Sequence, residues 1–209
     1  MTTGTPAATV KPFNQKIRIA ALRIFFLVAL PLVIFTRSTW EEGSLTFEIL
    51  ENLGIFLVIA AVLGRLWAIL YIGAMKNRTV MDEGPYSMCR HPLYFFSTIG
   101  VIGFGLMLGS FVLATVLGGV TFLILTATAA REEAFLRSTF KDAYDAYAAR
   151  TPRIWPKPSL FHTRPTVTSS VAALRVNFAD ALVFLAFIPL AEIMEGIKEA
   201  GLVATLPVF

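Results

Sequence analysis

The chain has 209 residues, of which 56% are hydrophobic and 15% charged, with a net charge of +4 and a mean hydropathy of +0.70. Soluble globular domains carry about 25% charged residues, so this balance excludes one and points to a polytopic membrane protein. The isoelectric point near 9.4 comes from cations gathered in particular loops and not from one basic run, which argues for membrane topology and against a nucleic-acid partner.

Residues 1–15 hold Thr, Ala, Pro and Lys without apolar periodicity and read as a flexible tail. No small-residue cleavage pattern follows the first apolar stretch, which is therefore read as retained. That first span covers Ile17–Phe35 and is broken by Pro31, a residue that membrane helices tolerate; Arg18 and Arg23 near its start can snorkel to the headgroups. Thr36–Glu48 sets Arg37 against Glu41, Glu42 and Glu48 and reads as an outside loop. The second span, Ile49–Gly73, contains Arg65. An arginine at that depth either faces a partner, cavity or polar ligand or snorkels to the interface.

Lys76, Arg78 and Arg90 mark the next loop as inside, and Leu93–Leu108 and Phe111–Ala130 form the third and fourth spans. Only Gly109 and Ser110 separate these two, so they must make a tight helical hairpin whose far ends emerge together. Beyond Arg131 the positions Leu136, Phe140, Tyr144 and Tyr147 recur at helical spacing among charged residues, which predicts an amphipathic cytoplasmic helix. Thr151-Pro152 ends it. A fifth apolar stretch, Val176–Ile193, reads as a fifth span or a shorter interfacial helix. The predicted fold is thus all-α with about five transmembrane helices, N-terminus inside: residues 16–165 form the membrane domain and 166–209 add a C-terminal membrane helix.

The hairpin folds two polar blocks onto one face, although about 36 apolar residues separate them. The first is Gly84 to Tyr94, GPYSMCRHPLY, and the second Arg131 to Arg153, which opens REE and closes PR. Isolated, each is readable as interfacial anchoring; together, flanking a hairpin, they read as two halves of a site. Cys89, the only cysteine, excludes an intrachain disulfide and is read as a small buried residue, with a reactive thiolate beside Arg90 and His91 as the alternative.

At these residues the sequence resembles the membrane methyltransferases that comprise isoprenylcysteine carboxyl methyltransferases and phospholipid N-methyltransferases. The resemblance rests on GPY at Gly84–Tyr86, RHPLY at Arg90–Tyr94, REE at Arg131–Glu133, then Leu136, Phe140, Tyr144, Tyr147, Pro152 and Arg153, and covers residues 50–158. It implies S-adenosylmethionine as the cofactor, bound on the cytosolic side by Tyr86, Arg90, His91, Pro92, Tyr94, Glu132 and Glu133, with Gly103-Phe104-Gly105 resembling the family's GxG element. Gly103 and Gly105 join the expected cofactor residues on that ground, while close helix packing is their plainer explanation. Glu133 and Arg153 are the expected catalytic residues, Arg65 and Arg153 the expected contacts to an anionic acceptor, and no residue is assigned to a metal.

The chemistry suits these residue types: a carboxylate accepts hydrogen bonds from ribose hydroxyls or meets an ammonium, and arginine or histidine binds a carboxylate. A carboxylate acceptor needs no general base, whereas an amine or thiol must lose a proton, and His91 is the candidate to take it if it does not bind cofactor. Two departures bear on the acceptor: Phe96 stands where many relatives have glycine, and some 50 residues follow Arg153. The expected partners are the bilayer and a lipophilic acceptor. Two other readings use the same residues: an NADPH-dependent reductase of the sterol-reductase kind, and a non-catalytic scaffold or transporter subunit.

Overall fold

The computed structural model describes residues 15–41, 43–73 and 79–209. In chain order it contains α1 (Gln15–Phe35), a three-residue strand β1 (Thr36–Ser38), α2 (Leu45–Ile72), the single turn α3 (Pro85–Met88), α4 (Pro92–Met107), α5 (Phe111–Phe140), α6 (Asp142–Arg150), α7 (Val171–Leu185), α8 (Phe187–Glu199) and a second short strand, β2 (Leu206–Val208). The tail read over residues 1–15 falls, apart from Gln15, outside the described residues, as do Glu42 and the loop cations Lys76 and Arg78.

Three helices, α1, α2 and α5, are long and apolar enough to cross a membrane. The 16 residues of α4 rise only about 24 Å, short of a hydrocarbon core of about 30 Å. The expected fifth span divides at Ala186 into α7 and α8, of 15 and 13 residues. Pro31 lies inside α1 without ending it, because a membrane helix can absorb one missing N–H.

The amphipathic helix expected after Arg131 is distributed differently. Nothing between Ala130 and Phe140 breaks a helix, so α5 continues straight out of its apolar run to Phe140. It stops where Lys141 takes φ 48°, and α6 restarts at Asp142. The Arg137–Asp145 pair at 2.9 Å spans the break. As expected, α6 closes at Arg150, just before Thr151-Pro152.

The α4–α5 hairpin turns through Leu108, Gly109 and Ser110. Gly109 has φ 62°, and a Cβ there would stand 2.5 Å from the Phe47 ring, so the turn needs glycine. Ser110 caps α5 by accepting from the Leu113 N–H at 3.1 Å and donates its hydroxyl to the Phe209 carbonyl at 2.9 Å. At this same end β1 and β2 pair in parallel, Thr36 with Leu206 and Ser38 with Val208. That pairing is a small departure from the all-α expectation. It pins the end of the chain to the turn.

Packing is tightest between α2 and α4. Gly54 and Gly103 face each other so closely that a Cβ on either would meet the other's carbonyl oxygen, at 2.5 and 2.7 Å. Apolar helices in lipid gain little by hiding from water, and close approach of small residues is what holds them. The segment after Arg164 wraps this core: Phe187 of α8 packs on Phe104 with ring centroids 4.8 Å apart, and Phe184 of α7 lies against Gly100 and Phe187.

Candidate functional site

At the end of the bundle opposite Gly109, the chain enters α4 through a constrained turn. Gly84 has φ 58°, and a Cβ there would stand 2.4 Å from the Tyr71 ring. Pro85 opens α3 and Pro92 opens α4, each at a first-turn position where the missing N–H costs nothing. Between them, Arg90 and His91 run alongside the PR segment: the Arg90 N–H donates to the Pro152 carbonyl at 2.9 Å and the His91 N–H to the Arg153 carbonyl at 3.0 Å. A third main-chain bond, Lys157 N–H to Met88 carbonyl at 3.0 Å, continues the strap. Two blocks some 60 residues apart in sequence are thereby fixed side by side.

Their side chains converge on Glu133, which is fully buried. Arg153 donates Nε to Oε1 at 3.1 Å and Nη2 to Oε2 at 2.8 Å; Arg90 Nη1 lies 3.2 Å from Oε1, and His91 Nε2 is also 3.2 Å from Oε1. A buried carboxylate is tolerable only with such compensation, and a bidentate guanidinium supplies the strongest form of it. Both oxygens are taken, so Glu133 presents no free edge to a ligand. It fixes Arg90, His91 and Arg153 around it.

Glu132 differs. Its side chain is 25% exposed, with Oε2 at 3.8 Å from His91 Nδ1 and Oε1 at 3.7 Å from Arg18 Nη1. The imidazole of His91 therefore sits between the two glutamates, one at each ring nitrogen. Its face is covered by Tyr94, whose ring stacks at 5.3 Å with an interplanar angle of 2°. Arg18 was expected among the headgroups; it turns inward and donates to the Tyr94 hydroxyl at 2.7 Å. Nothing in the sequence spacing marked it, because 76 residues separate the two.

The lid over this cluster is aromatic. Tyr144 and Tyr147 of α6 are buried edge to face at 6.0 Å, and the Tyr147 hydroxyl donates to the Tyr86 carbonyl at 2.8 Å. Burial pushes the Tyr144 phenol up to about 12, with the Glu133 charge adding to the rise and Arg90 opposing it. Burial likewise raises Tyr86 well above its ordinary value. Both stay protonated donors. The same desolvation carries the Cys89 thiol up to about 12, so the buried cysteine is held as a thiol and not as a thiolate.

The Tyr86 hydroxyl is buried without a hydrogen-bond partner, while the Tyr144 hydroxyl is turned to Arg90. Buried polar atoms are nearly always paired, so the Tyr86 donor fits a ligand rich in acceptors, such as the carboxylate and ribose oxygens of S-adenosylmethionine.

The remaining expected residues lie elsewhere. Arg65 is hydrogen-bonded to the Ser97 hydroxyl, one turn along α4 from Tyr94, with the Phe184 ring 5.1 Å below its guanidinium. Gly103 and Gly105 are not brought to Glu133: Gly103 packs on α2 and Gly105 on α5, where a Cβ would stand 2.3 Å from the Ala114 nitrogen. Eleven residues of helix place Gly103 about 16 Å from Pro92. Phe96, expected from the resemblance to bear on the acceptor, fills the space above Gly64, whose absent Cβ would lie 2.1 Å from the ring. Among the described residues no group of three His, Cys, Asp or Glu side chains is placed to hold a metal ion.

Comparison with known proteins adds a family. The phospholipid methyltransferase family matches residues 43–143. The cobalt-zinc-cadmium resistance protein CzcN of Cupriavidus metallidurans is 35% identical over 189 residues, 90% of this chain and 87% of that protein. The nickel-cobalt-cadmium resistance protein NccN of Alcaligenes xylosoxydans xylosoxydans is 34% identical over 188 residues, again 90% and 87%. Protein-S-isoprenylcysteine O-methyltransferase of Schizosaccharomyces pombe is 31% identical over 77 residues, 37% of this chain and 33% of that enzyme. No solved structure matches.

Proposed function

The chain belongs to the phospholipid methyltransferase family, with CzcN and NccN as relatives over nine-tenths of its length, and we propose that it is an integral membrane methyltransferase. Its donor is S-adenosylmethionine and its acceptor lipophilic, an isoprenylcysteine-type carboxylate or a phospholipid amine. The observation that carries this reading is the convergence of Arg90, His91 and Arg153 on the buried Glu133, which joins the two polar blocks in one cluster.

The residues divide the work. Arg90 with the Tyr86 and Tyr144 phenols binds the donor's carboxylate and hydroxyl oxygens, and Glu132, the exposed member of the pair, takes its ammonium or ribose hydroxyls. His91 and Tyr94 form one stacked wall, Pro92 sets the start of α4, and Glu133 holds the arginines in register. When bound, the donor's sulfonium supplies an electrophilic methyl group; positioning an acceptor in line with it, away from water, is the protein's contribution. Arg153, with 42% of its side chain exposed, holds an anionic acceptor or headgroup, and Arg65 holds it deeper along α4. Both ring nitrogens of His91 already face carboxylates, so an orienting role suits it better than that of a general base.

The positive-inside rule supports an N-terminus and site on the cytoplasmic side, and five passes then require the short α4 and the α7–α8 pair to cross beside α1, α2 and α5. Incubation of detergent-purified protein with labelled donor and native lipid extract tests the whole reading. Label should appear in an organic-soluble product and be lost in Glu132→Ala; no incorporation by folded protein overturns the proposal.

A second reading draws on the relatives' names, which speak of metal resistance and not of methyl transfer. On that reading the chain is a non-catalytic membrane component. Growth in cobalt, zinc or cadmium separates the two: if the protein confers tolerance and a donor-binding variant such as Glu132→Ala confers as much, the non-catalytic reading holds.

A further inference from the structure

Helix α1 precedes the stretch that the family matches, residues 43–143, yet it reaches the site through one side chain. Arg18 Nη1 donates to the Tyr94 hydroxyl at 2.7 Å and lies 3.7 Å from Glu132 Oε1, while its guanidinium carbon sits 5.4 Å from the Tyr94 ring centre. Tyr94 in turn stacks on His91, and Glu132 faces His91 Nδ1. One arginine therefore touches both Glu132 and Tyr94, the groups at the Nδ1 edge and on the face of the imidazole.

The glutamate pair makes this matter. Glu133 is closed off by Arg90, His91 and Arg153, so Glu132 is the carboxylate of the pair with room to meet a ligand. A partly exposed glutamate on a helix samples several rotamers, and fixing it against a ligand costs conformational entropy. A guanidinium already beside it, itself anchored on Tyr94, removes much of that cost in advance.

From this geometry we infer that Arg18 is a positioning residue of the donor site: α1 completes the site by fixing Glu132 and the Tyr94–His91 stack. The inference rests on the methyltransferase reading for the identity of the ligand. It does not rest on it for the arrangement of Glu132, Tyr94 and His91.

The test uses Arg18→Gln, which keeps an N–H for Tyr94 but removes the charge, together with Arg18→Lys and Glu132→Gln in the full-length protein. The dissociation constant of S-adenosylmethionine by calorimetry should rise about tenfold in Arg18→Gln. Arg18→Lys should recover most of it. In the Glu132→Gln background the same change should have little effect, since the partner is gone. In turnover, KM for the donor should rise with kcat within about twofold, the mark of lost binding and not of lost chemistry.

A ligand-free readout separates the two levels. The chain has two histidines, His91 and His162, so a 15N-histidine spectrum of the apo protein holds two imidazoles. Arg18→Gln should move the His91 signals and leave those of His162. Wild-type protein that binds no donor would sink the methyltransferase reading, while the His91 signals still decide the role of Arg18. If they stay in place in Arg18→Gln, or if the double variant loses affinity additively, Arg18 does not position this site.

Discussion

Arg153 grips Glu133 through both carboxylate oxygens, at 3.1 and 2.8 Å, from a side chain that is 42% exposed to one that is fully buried. The pair thus carries charge from the surface to the centre of the cluster, and its two ends respond differently to substitution.

Replacing Glu133 by Ala leaves Arg90 and Arg153 facing each other without their counter-ion and His91 Nε2 without its partner. Removing one partner of a buried ion pair costs about 3–5 kcal/mol, and the charge repulsion acts at the strap between residues 90–91 and 152–153. Thermal unfolding in detergent should show a large loss of stability for Glu133→Ala. In Arg153→Lys the charge remains but the fork is lost, so stability should change little while acceptor or donor affinity falls. Equal effects of the two variants would contradict a carboxylate hub.

Cys89 gives a pH-dependent prediction. Its thiol is pushed up to about 12 by burial against an ordinary value near 9, so at pH 8 it should resist a maleimide in folded protein and react readily once the protein is unfolded. The sign for stability follows from the raised value. Between 9 and 12 the unfolded chain gives up the proton and the folded one keeps it, so stability is lost as pH rises through this window, by about 1.4 kcal/mol per pH unit. The melting temperature of wild type should therefore fall faster above pH 9 than that of Cys89→Ala; parallel profiles would rule the effect out.

Much of the architecture was legible because it depends on local signals. Gly109 and Ser110 between two apolar runs announced the hairpin, and Thr151-Pro152 announced the end of α6, since both act through backbone geometry. The gathering of Arg90, His91, Glu133 and Arg153 was legible as a consequence of that hairpin. The strap pairing Arg90 with Pro152 was not, because main-chain hydrogen bonds leave no mark on residue type. Arg18 was misread for a related reason: an arginine near a helix start looks the same whether it snorkels or turns inward to a tyrosine 76 residues away. The break of the fifth apolar stretch at Ala186 had its signal in Pro189, whose missing N–H and ring disturb the helix four residues earlier, at Leu185.

Gly103 separates a packing role from a ligand role. Its missing Cβ faces the Gly54 carbonyl at 2.7 Å and the Leu57 Cβ at 3.0 Å, and it lies about 16 Å along α4 from Pro92. Gly103→Val should push α2 and α4 apart and lower the melting temperature by many degrees, since packing in a membrane depends on this approach. Donor affinity of the protein that remains folded should be unchanged. A selective loss of affinity at unchanged stability would restore the GxG segment to the cofactor site.

Phe96 and Gly64 make the last case, a large residue seated over a missing one. The Phe96 ring occupies the place where a Gly64 Cβ would stand, within 2.1 Å, so the bulk on α4 is matched by a missing side chain on α2. Phe96→Gly should leave a hole between the helices. With lipid outside instead of water, the cost is mainly the cavity part of a large-to-small change, about 2 kcal/mol. Gly64→Ala should also cost stability, because its Cβ would meet the Phe96 ring and force it to turn aside. If the two residues are complementary, Gly64→Ala combined with Phe96→Gly should be more stable than either single variant suggests, and a double-mutant cycle on melting temperatures measures the difference. Additive losses would mean that Phe96 is held by other neighbours, Phe95 being the nearest ring at 5.3 Å, and that the glycine on α2 serves some contact other than this one.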